Sequence, residues 1–221
     1  MCAQQFKLLI VSGGHNFNRE SFFEIFDSFP NIEWEEAIQP KANQLILNSE
    51  VDDYDVLVFY DMYQDISNDE KKAFIKMLKK GKPLLFLHHS LASYQNWDEY
   101  LNIVGGKYYE KNLYNGKLRE HFSNFKHSTN VNVQILQNSH PIVDGLSDFT
   151  VFDEVYGDTE LLKNVTPFLK TNHPNSSEII GWENKYKSSK IIYLQPGHGE
   201  ATYKNESYRR LIYQSINYLI D

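Results

Sequence analysis

Four short apolar runs, Phe6–Ser12, Asp55–Tyr60, Pro83–Leu87 and Lys190–Leu194, are almost unbroken, and each is closed by polar or glycine-rich residues. A strand with one wet face alternates apolar and polar side chains. A strand covered on both faces does not, so these runs belong in the middle of a parallel sheet. Between them the apolar period changes to that of helices. Asn18 is placed to cap a helix with Phe22, Phe26 and Phe29 on one stripe, and Ile32–Ile38 reads as extended. Ser67, with Glu70 three residues on, opens a helix bearing Phe74, Ile75 and Leu78, which Gly81 ends. A further helix is expected to carry Leu91, Tyr94, Trp97, Leu101 and Val104 up to Gly105-Gly106. The last helix, entered through Pro196-Gly197, carries Tyr208, Leu211, Ile212, Ile216 and Leu219. Strands alternating with helices define an α/β fold with a mostly parallel sheet.

From about residue 107 to 184 the pattern changes to short extended pieces, Val131–Leu136, Phe149–Phe152, Phe168–Thr171 and Glu178–Trp182. They predict a β-rich insertion or an antiparallel extension of the sheet, with Gly116–Thr129 as a polar loop. The 221 residues then make one domain, 1–221, with that insertion inside it. At 41% hydrophobic the chain can build a core, which excludes disorder. A net charge of −7 with no basic run argues against nucleic acid and anionic membrane as partners. No apolar run approaches the ~18 residues that span a bilayer. Met1-Cys2-Ala3-Gln4-Gln5 leads straight into a strand with no leader pattern, so the expectation is a cytoplasmic protein, or an exported one if that start has been trimmed. The single cysteine, Cys2, excludes a disulfide framework and a cysteine zinc site. Nothing in the sequence sets the oligomeric state.

In open α/β sheets, ligands bind beyond the carboxyl ends of the strands. The residues there are Gly13-Gly14-His15, Asp61-Met62-Tyr63, His88-His89-Ser90 and Gly197-His198-Gly199-Glu200. Four of the eight histidines thus fall at one edge, and His15, His88 and His198 are expected in a single cleft. Imidazoles grouped at a crevice suit proton transfer or metal binding. Gly13-Gly14 lacks the spacing of a dinucleotide site or a P-loop. Asp153-Glu154, after an aromatic strand, is either exposed or faces cations or histidines, because two buried unpaired carboxylates are costly. His140, before Pro141, is either a turn residue or a site residue. Tyr94 and Trp97 either stack on a sugar or pack in the core.

The segments LLIVSGGHNFN, VFYDM, PLLFLHHS, YQNWDEYLNIVGG, HPIVDGL, FDEVY and LQPGH, in that order over Leu8–His198, resemble the signature blocks of the ThuA-like (trehalose utilisation) family. The resemblance implies a class I glutamine amidotransferase-like fold, with a flavodoxin-like doubly wound sheet. It also implies a role in sugar metabolism, often beside the oxidation of disaccharides to 3-keto sugars. In amidotransferases of this fold the nucleophilic cysteine sits where this chain has His88, and His198 and Glu200 match the spacing of their histidine and glutamate. Without the cysteine the chain is not a glutamine amidotransferase; Ser90 is the one substitute nucleophile nearby. Residues 109–129 match no family block.

The resulting expectation is an enzyme acting on a sugar or a 3-keto sugar or glycoside by histidine acid–base chemistry, through hydrolysis, elimination or isomerisation and with no cofactor. His88 or His198 serves as base and Glu154 or His15 as acid or orienter, while the Gly14 and Gly199 amides hold a developing oxyanion. Asp61, Tyr63, His89, Trp97 and Tyr156 join those two glycines as substrate-binding candidates. One alternative is a metal-dependent hydrolase, since His15, His88, His198 and Glu154 are donors of the kind zinc takes. Another is a sugar-binding or regulatory module without catalysis.

Overall fold

Each of the four apolar runs forms a strand buried on both faces. The structure, a computed structural model, describes residues 4–116, 119, 121–136 and 140–221, so Cys2 lies outside it. The elements are β1 (Phe6–Gly13), α1 (Arg19–Asp27), β2 (Ile32–Ile38), α2 (Lys41–Leu47), β3 (Val56–Asp61), α3 (Asn68–Lys79), β4 (Leu84–Leu87), α4 (Glu99–Val104), β5 (Gly106–Lys107), β6 (Asn124–Ile135), β7 (Phe149–Gly157), β8 (Glu160–Leu161), β9 (Thr166–Lys170), β10 (Ile179–Tyr186), β11 (Ser189–Leu194), α5 (Glu200–Tyr203) and α6 (Glu206–Ile220). Short 3₁₀ turns follow β4, at His88–Ala92, and precede β7, at Pro141–Val143. No described helix is long and apolar enough to cross a membrane.

Nine strands form one sheet in the order β2-β1-β3-β4-β11-β10-β9-β6-β7. The first five are parallel, and the last four pairings are antiparallel, as the change of pattern near residue 107 predicts. Side chains alternate between two cores. Leu8, Ile10, Val58, Leu85 and Ile192 meet Phe22 and Phe26 of α1 and Leu211 and Ile212 of α6 on one face. Leu9, Val11, Phe59, Phe86 and Tyr193 meet Ala42 of α2, Phe74 of α3 and Ile103 of α4 on the other. This is the doubly wound, flavodoxin-like arrangement. Asn18 caps α1, and Ser67 and Glu70 form the capping box of α3.

Three local expectations are corrected. The helix expected over Leu91–Val104 is broken: the chain leaves β4 through the 3₁₀ turn, takes positive φ at Tyr94 (46°), and becomes α-helical only at Glu99. Residues 124–129, read as part of a polar loop, are the first half of β6, paired with β7. The short α2 was not expected at all, because Pro40 precedes it and no side chain caps its start.

Glu154 sits on β7, five strands from β4 in the sheet order. In a flat sheet that is roughly 24 Å, at 4.8 Å per strand. Yet its Oε2 lies 2.9 Å from Nε2 of His88, the residue directly after β4. The antiparallel extension therefore curls back over the carboxyl edge of the parallel strands and roofs it.

Candidate functional site

His88 leaves β4 with φ +44°, in the left-handed region that a non-glycine residue enters only when its surroundings demand it. That turn points its ring into the protein, where it is fully buried. Nδ1 donates to the Gln195 carbonyl at 2.5 Å, and Nε2 lies 2.9 Å from Glu154 Oε2, 3.2 Å from His198 Nδ1 and 2.9 Å from the Tyr156 hydroxyl. His198 Nδ1 is also 3.1 Å from the same Glu154 oxygen. The three atoms form a nearly equilateral triangle.

Two further histidines complete the cluster. His89 presents a ring nitrogen within 4.8 Å of the donor atoms of His88, Glu154 and His198, and its Nδ1 is buried with no hydrogen-bond partner among the described residues. His15 stacks on His89 with ring centres 3.8 Å apart, and its Nε2 donates to the Tyr60 carbonyl at 2.9 Å. The structure thus brings His15, His88 and His198 into one cleft, with Glu154, Tyr156 and His89.

Electrostatics follow from burial and pairing. Burial alone would push the Glu154 carboxyl up, but hydrogen bonds from His198 and His88 outweigh it and hold the group far below the usual carboxylate range. His198 is raised by its bond to Glu154, against the opposing effect of burial. His89 is driven well down, by burial first and then by the neighbouring imidazoles, and His15 is lowered mainly by burial. The centre is one carboxylate held low by its imidazole partners, with two further imidazoles, His89 and His15, lowered by burial behind it.

His127 is the site residue that sequence reasoning missed. The β6–β7 ladder pairs Lys126 with Val155 and resumes with Thr129 opposite Asp153, so His127 and Ser128 face Glu154 alone. This bulge, with Ser128 at φ +53°, turns His127 onto Glu154 Oε1 at 2.9 Å. The mostly polar stretch around His127 carries no signal for such a bulge.

Other candidates lie elsewhere. Asp61 is fully buried and accepts from Gln39 at 3.2 Å, while Trp97 packs on Phe74 and Tyr94, so neither reaches the cleft. Tyr63 is half-buried, and its neighbour Met62 lines the cleft instead. Gly14, at φ +85°, is packed so closely that a Cβ would lie 2.2 Å from the Met62 carbonyl, whereas Gly199 opens onto free space at the start of α5. Ser90 donates its hydroxyl to the Leu87 carbonyl and is buried. Glu200 is exposed and pairs with Lys204, so Glu154 takes the place beside His198 that the spacing assigned to it. His140 pairs with Glu183 and packs on Phe168.

Two cavities open on the cluster. One, of about 170 Å³, is lined by Met62, His89, Tyr108, Phe125, His127 and Glu154, and the other, of about 190 Å³, by Ser128, Phe152, Asp153, His198 and Gly199. Phe152, Glu154 and Tyr156 share one face of β7, so an aromatic flanks the carboxylate at roughly 7 Å on each side. Phe125 and Phe152 are about half exposed, at 53% and 52%.

A doubly wound α/β domain with a histidine–carboxylate centre at its carboxyl edge is what this fold and cluster define. The chain matches the family model described as ThuA, trehalose utilisation, over residues 7–219, and it belongs to that family. Its fold is similar to that of a ThuA-like protein from Parabacteroides merdae, at 16% identity over 98% of this chain and 90% of that one, with a TM-score of 0.77. A ThuA-like protein from Bacteroides uniformis superposes with a TM-score of 0.71, at 18% identity over 99% and 93% of the two chains. The β-galactosidase of Bacillus circulans contains a similar fold in 31% of its chain, at 10% identity over 97% of this one and a TM-score of 0.62. No curated protein matches the sequence. Membership of the family supports a carbohydrate-related role.

Proposed function

We propose that the chain is an enzyme that acts on a sugar or a 3-keto sugar or glycoside, by hydrolysis, elimination or isomerisation, at the centre made by Glu154, His88 and His198. The observation that carries this reading is the environment of Glu154. A carboxylate 4% exposed, kept anionic by two imidazoles and held by a third from a bulge, is not a device that stability requires. It stands between two small cavities edged by half-exposed phenylalanines, and an aromatic face beside polar groups suits the apolar face of a sugar ring. The hydroxyls of that sugar would meet His127 and Tyr156 in the first cavity or His198 in the second. The family's printed description, trehalose utilisation, agrees with a sugar ligand.

A binding module would need the aromatics and the hydrogen bonds but not the buried anion. The test is therefore a panel of disaccharides, glycosides and their 3-keto derivatives followed by NMR, with the wild type beside Glu154→Gln. Turnover of at least one compound, lost in the variant while binding survives, supports an enzyme. Equal binding by both with no turnover by either would return the chain to the binding-module reading.

A further inference from the structure

The same centre carries a more specific inference, which deepens the reading just given. We infer that His88 Nε2, His198 Nδ1 and Glu154 Oε2, with His89 as a fourth donor, bind one divalent first-row transition metal ion of the zinc type.

The argument starts from His88. Its Nδ1 faces the carbonyl of Gln195, which can only accept, so Nδ1 carries a proton. Nε2 is then the nitrogen that faces the cluster, with a carboxylate oxygen 2.9 Å away, a second imidazole nitrogen 3.2 Å away and the Tyr156 hydroxyl at 2.9 Å. Polar atoms from three separate segments of the chain, after β4, on β7 and after β11, thus converge on one buried point.

A divalent cation satisfies all the donors together. Metal–nitrogen and metal–oxygen bonds of 2.0–2.1 Å in a tetrahedron put neighbouring donors about 3.3 Å apart. The edges of the His88–His198–Glu154 triangle are 2.9, 3.1 and 3.2 Å, a few tenths short of that. The surroundings are also those of a ligand set. The other ring nitrogen of His88 is fixed by a backbone carbonyl, the free oxygen of Glu154 by His127, and the backbone of His198 by Asp153. His89 offers a ring nitrogen within 4.8 Å of the other three donor atoms, and its Nδ1 is buried and unpartnered among the described residues. Imidazole-rich donors favour zinc, cobalt, nickel or iron over magnesium or calcium. Three strong donors and one more distant leave room for a sugar oxygen on the ion, where it would be polarised.

The test needs no substrate. The chain is stripped with a chelator, checked by circular dichroism and titrated with Co²⁺, whose visible absorption reports nitrogen and oxygen ligation. Zn²⁺ is then used to displace it, and the protein as purified is measured for metal by mass spectrometry. One equivalent per chain is expected, with affinity lowered roughly 10²-fold or more in His88→Ala and Glu154→Gln and unchanged in His140→Gln. If the two site variants fail to fold, the stoichiometry and absorption of the wild type decide. A folded, stripped wild type that takes up no Co²⁺ or Zn²⁺ at micromolar concentration overturns the site, as does binding that survives both substitutions. Metal binding without turnover of any sugar would defeat the proposed function and leave the site standing. Full turnover by a chain verified to be metal-free would do the reverse.

Discussion

Asp153 accepts the backbone N–H of His198 at 2.8 Å, while the next residue on the same strand, Glu154, takes that histidine's ring. The second Asp153 oxygen accepts from the Gly197 N–H at 2.7 Å, so the loop after β11 is clamped by one carboxylate and used by its neighbour. Asp153→Ala leaves one buried and one part-buried donor unpaired, at about 1–3 kcal/mol for the buried one and less for the other. A loss of roughly 2–4 kcal/mol in urea unfolding is expected, and Asp153→Asn, which keeps one acceptor, should lose less. Equal stability of Asp153→Ala and wild type would show that the clamp contributes nothing.

Gly14 and Gly199 share a sequence context but not a role. A Cβ at Gly14 would meet the Met62 carbonyl at 2.2 Å in a left-handed backbone, whereas nothing lies within 4 Å of one at Gly199, where the chain is extended. Gly14→Ala is expected to destabilise by more than about 2 kcal/mol and Gly199→Ala by less than about 0.5 kcal/mol. Thermal unfolding of the two variants side by side checks the ordering, and a reversed order contradicts it.

Lys107 is buried, and its ammonium donates to the carbonyl of Gln95 at 3.0 Å and to those of Tyr94 and Trp97 at 3.4 Å. It pins the irregular segment that replaces the expected helix. Lys107→Met keeps the stem and removes the donors, so about 1–3 kcal/mol should be lost and the 94–97 amides should exchange faster with deuterium. Unchanged exchange there would mean that the segment holds itself.

The Asp61 carboxyl is raised to about 7 by burial, with the bond from Gln39 pulling part of the way back. Beside it are the phenols of Tyr94 and Tyr100, both pushed up by burial and neutral. The folded chain holds this proton more tightly than the unfolded chain, whose value is 3.8. The contribution of Asp61 to stability is therefore greatest at low pH, falls as pH rises from about 4 to about 7, and is flat above. In Asp61→Asn that fall should vanish, so the variant gains on the wild type between about pH 4 and pH 7. Parallel stability curves for the two proteins over that range would contradict the assignment.

The parallel half of the fold was legible because burial on both faces writes itself as unbroken apolar runs, as in β1, β3, β4 and β11. The helices with side-chain caps, at Asn18 and Ser67, were legible for the same local reason, and α2, entered through Pro40 with no such cap, was not. In the site, His15, His88, His89 and His198 could be placed together because each lies within four residues of the carboxyl end of a parallel strand. Glu154 was recognisable as a carboxylate needing partners, but its position over His88 depends on the extension curling back, which is a long-range event. His127 depends on a bulge, and Asp61 and Trp97 were drawn inward by packing that no local pattern records.

A crystal structure of Glu154→Gln soaked with a sugar from the active panel tests the central claim most directly. The account predicts a ring lying against Phe125 or Phe152 in one of the two cavities beside the cluster, with a sugar oxygen within about 3.2 Å of His198 or residue 154. A sugar bound elsewhere, such as in the cavity between α2 and α3 lined by Ile46, Met77 and Lys80, with the histidine cleft empty, would contradict it.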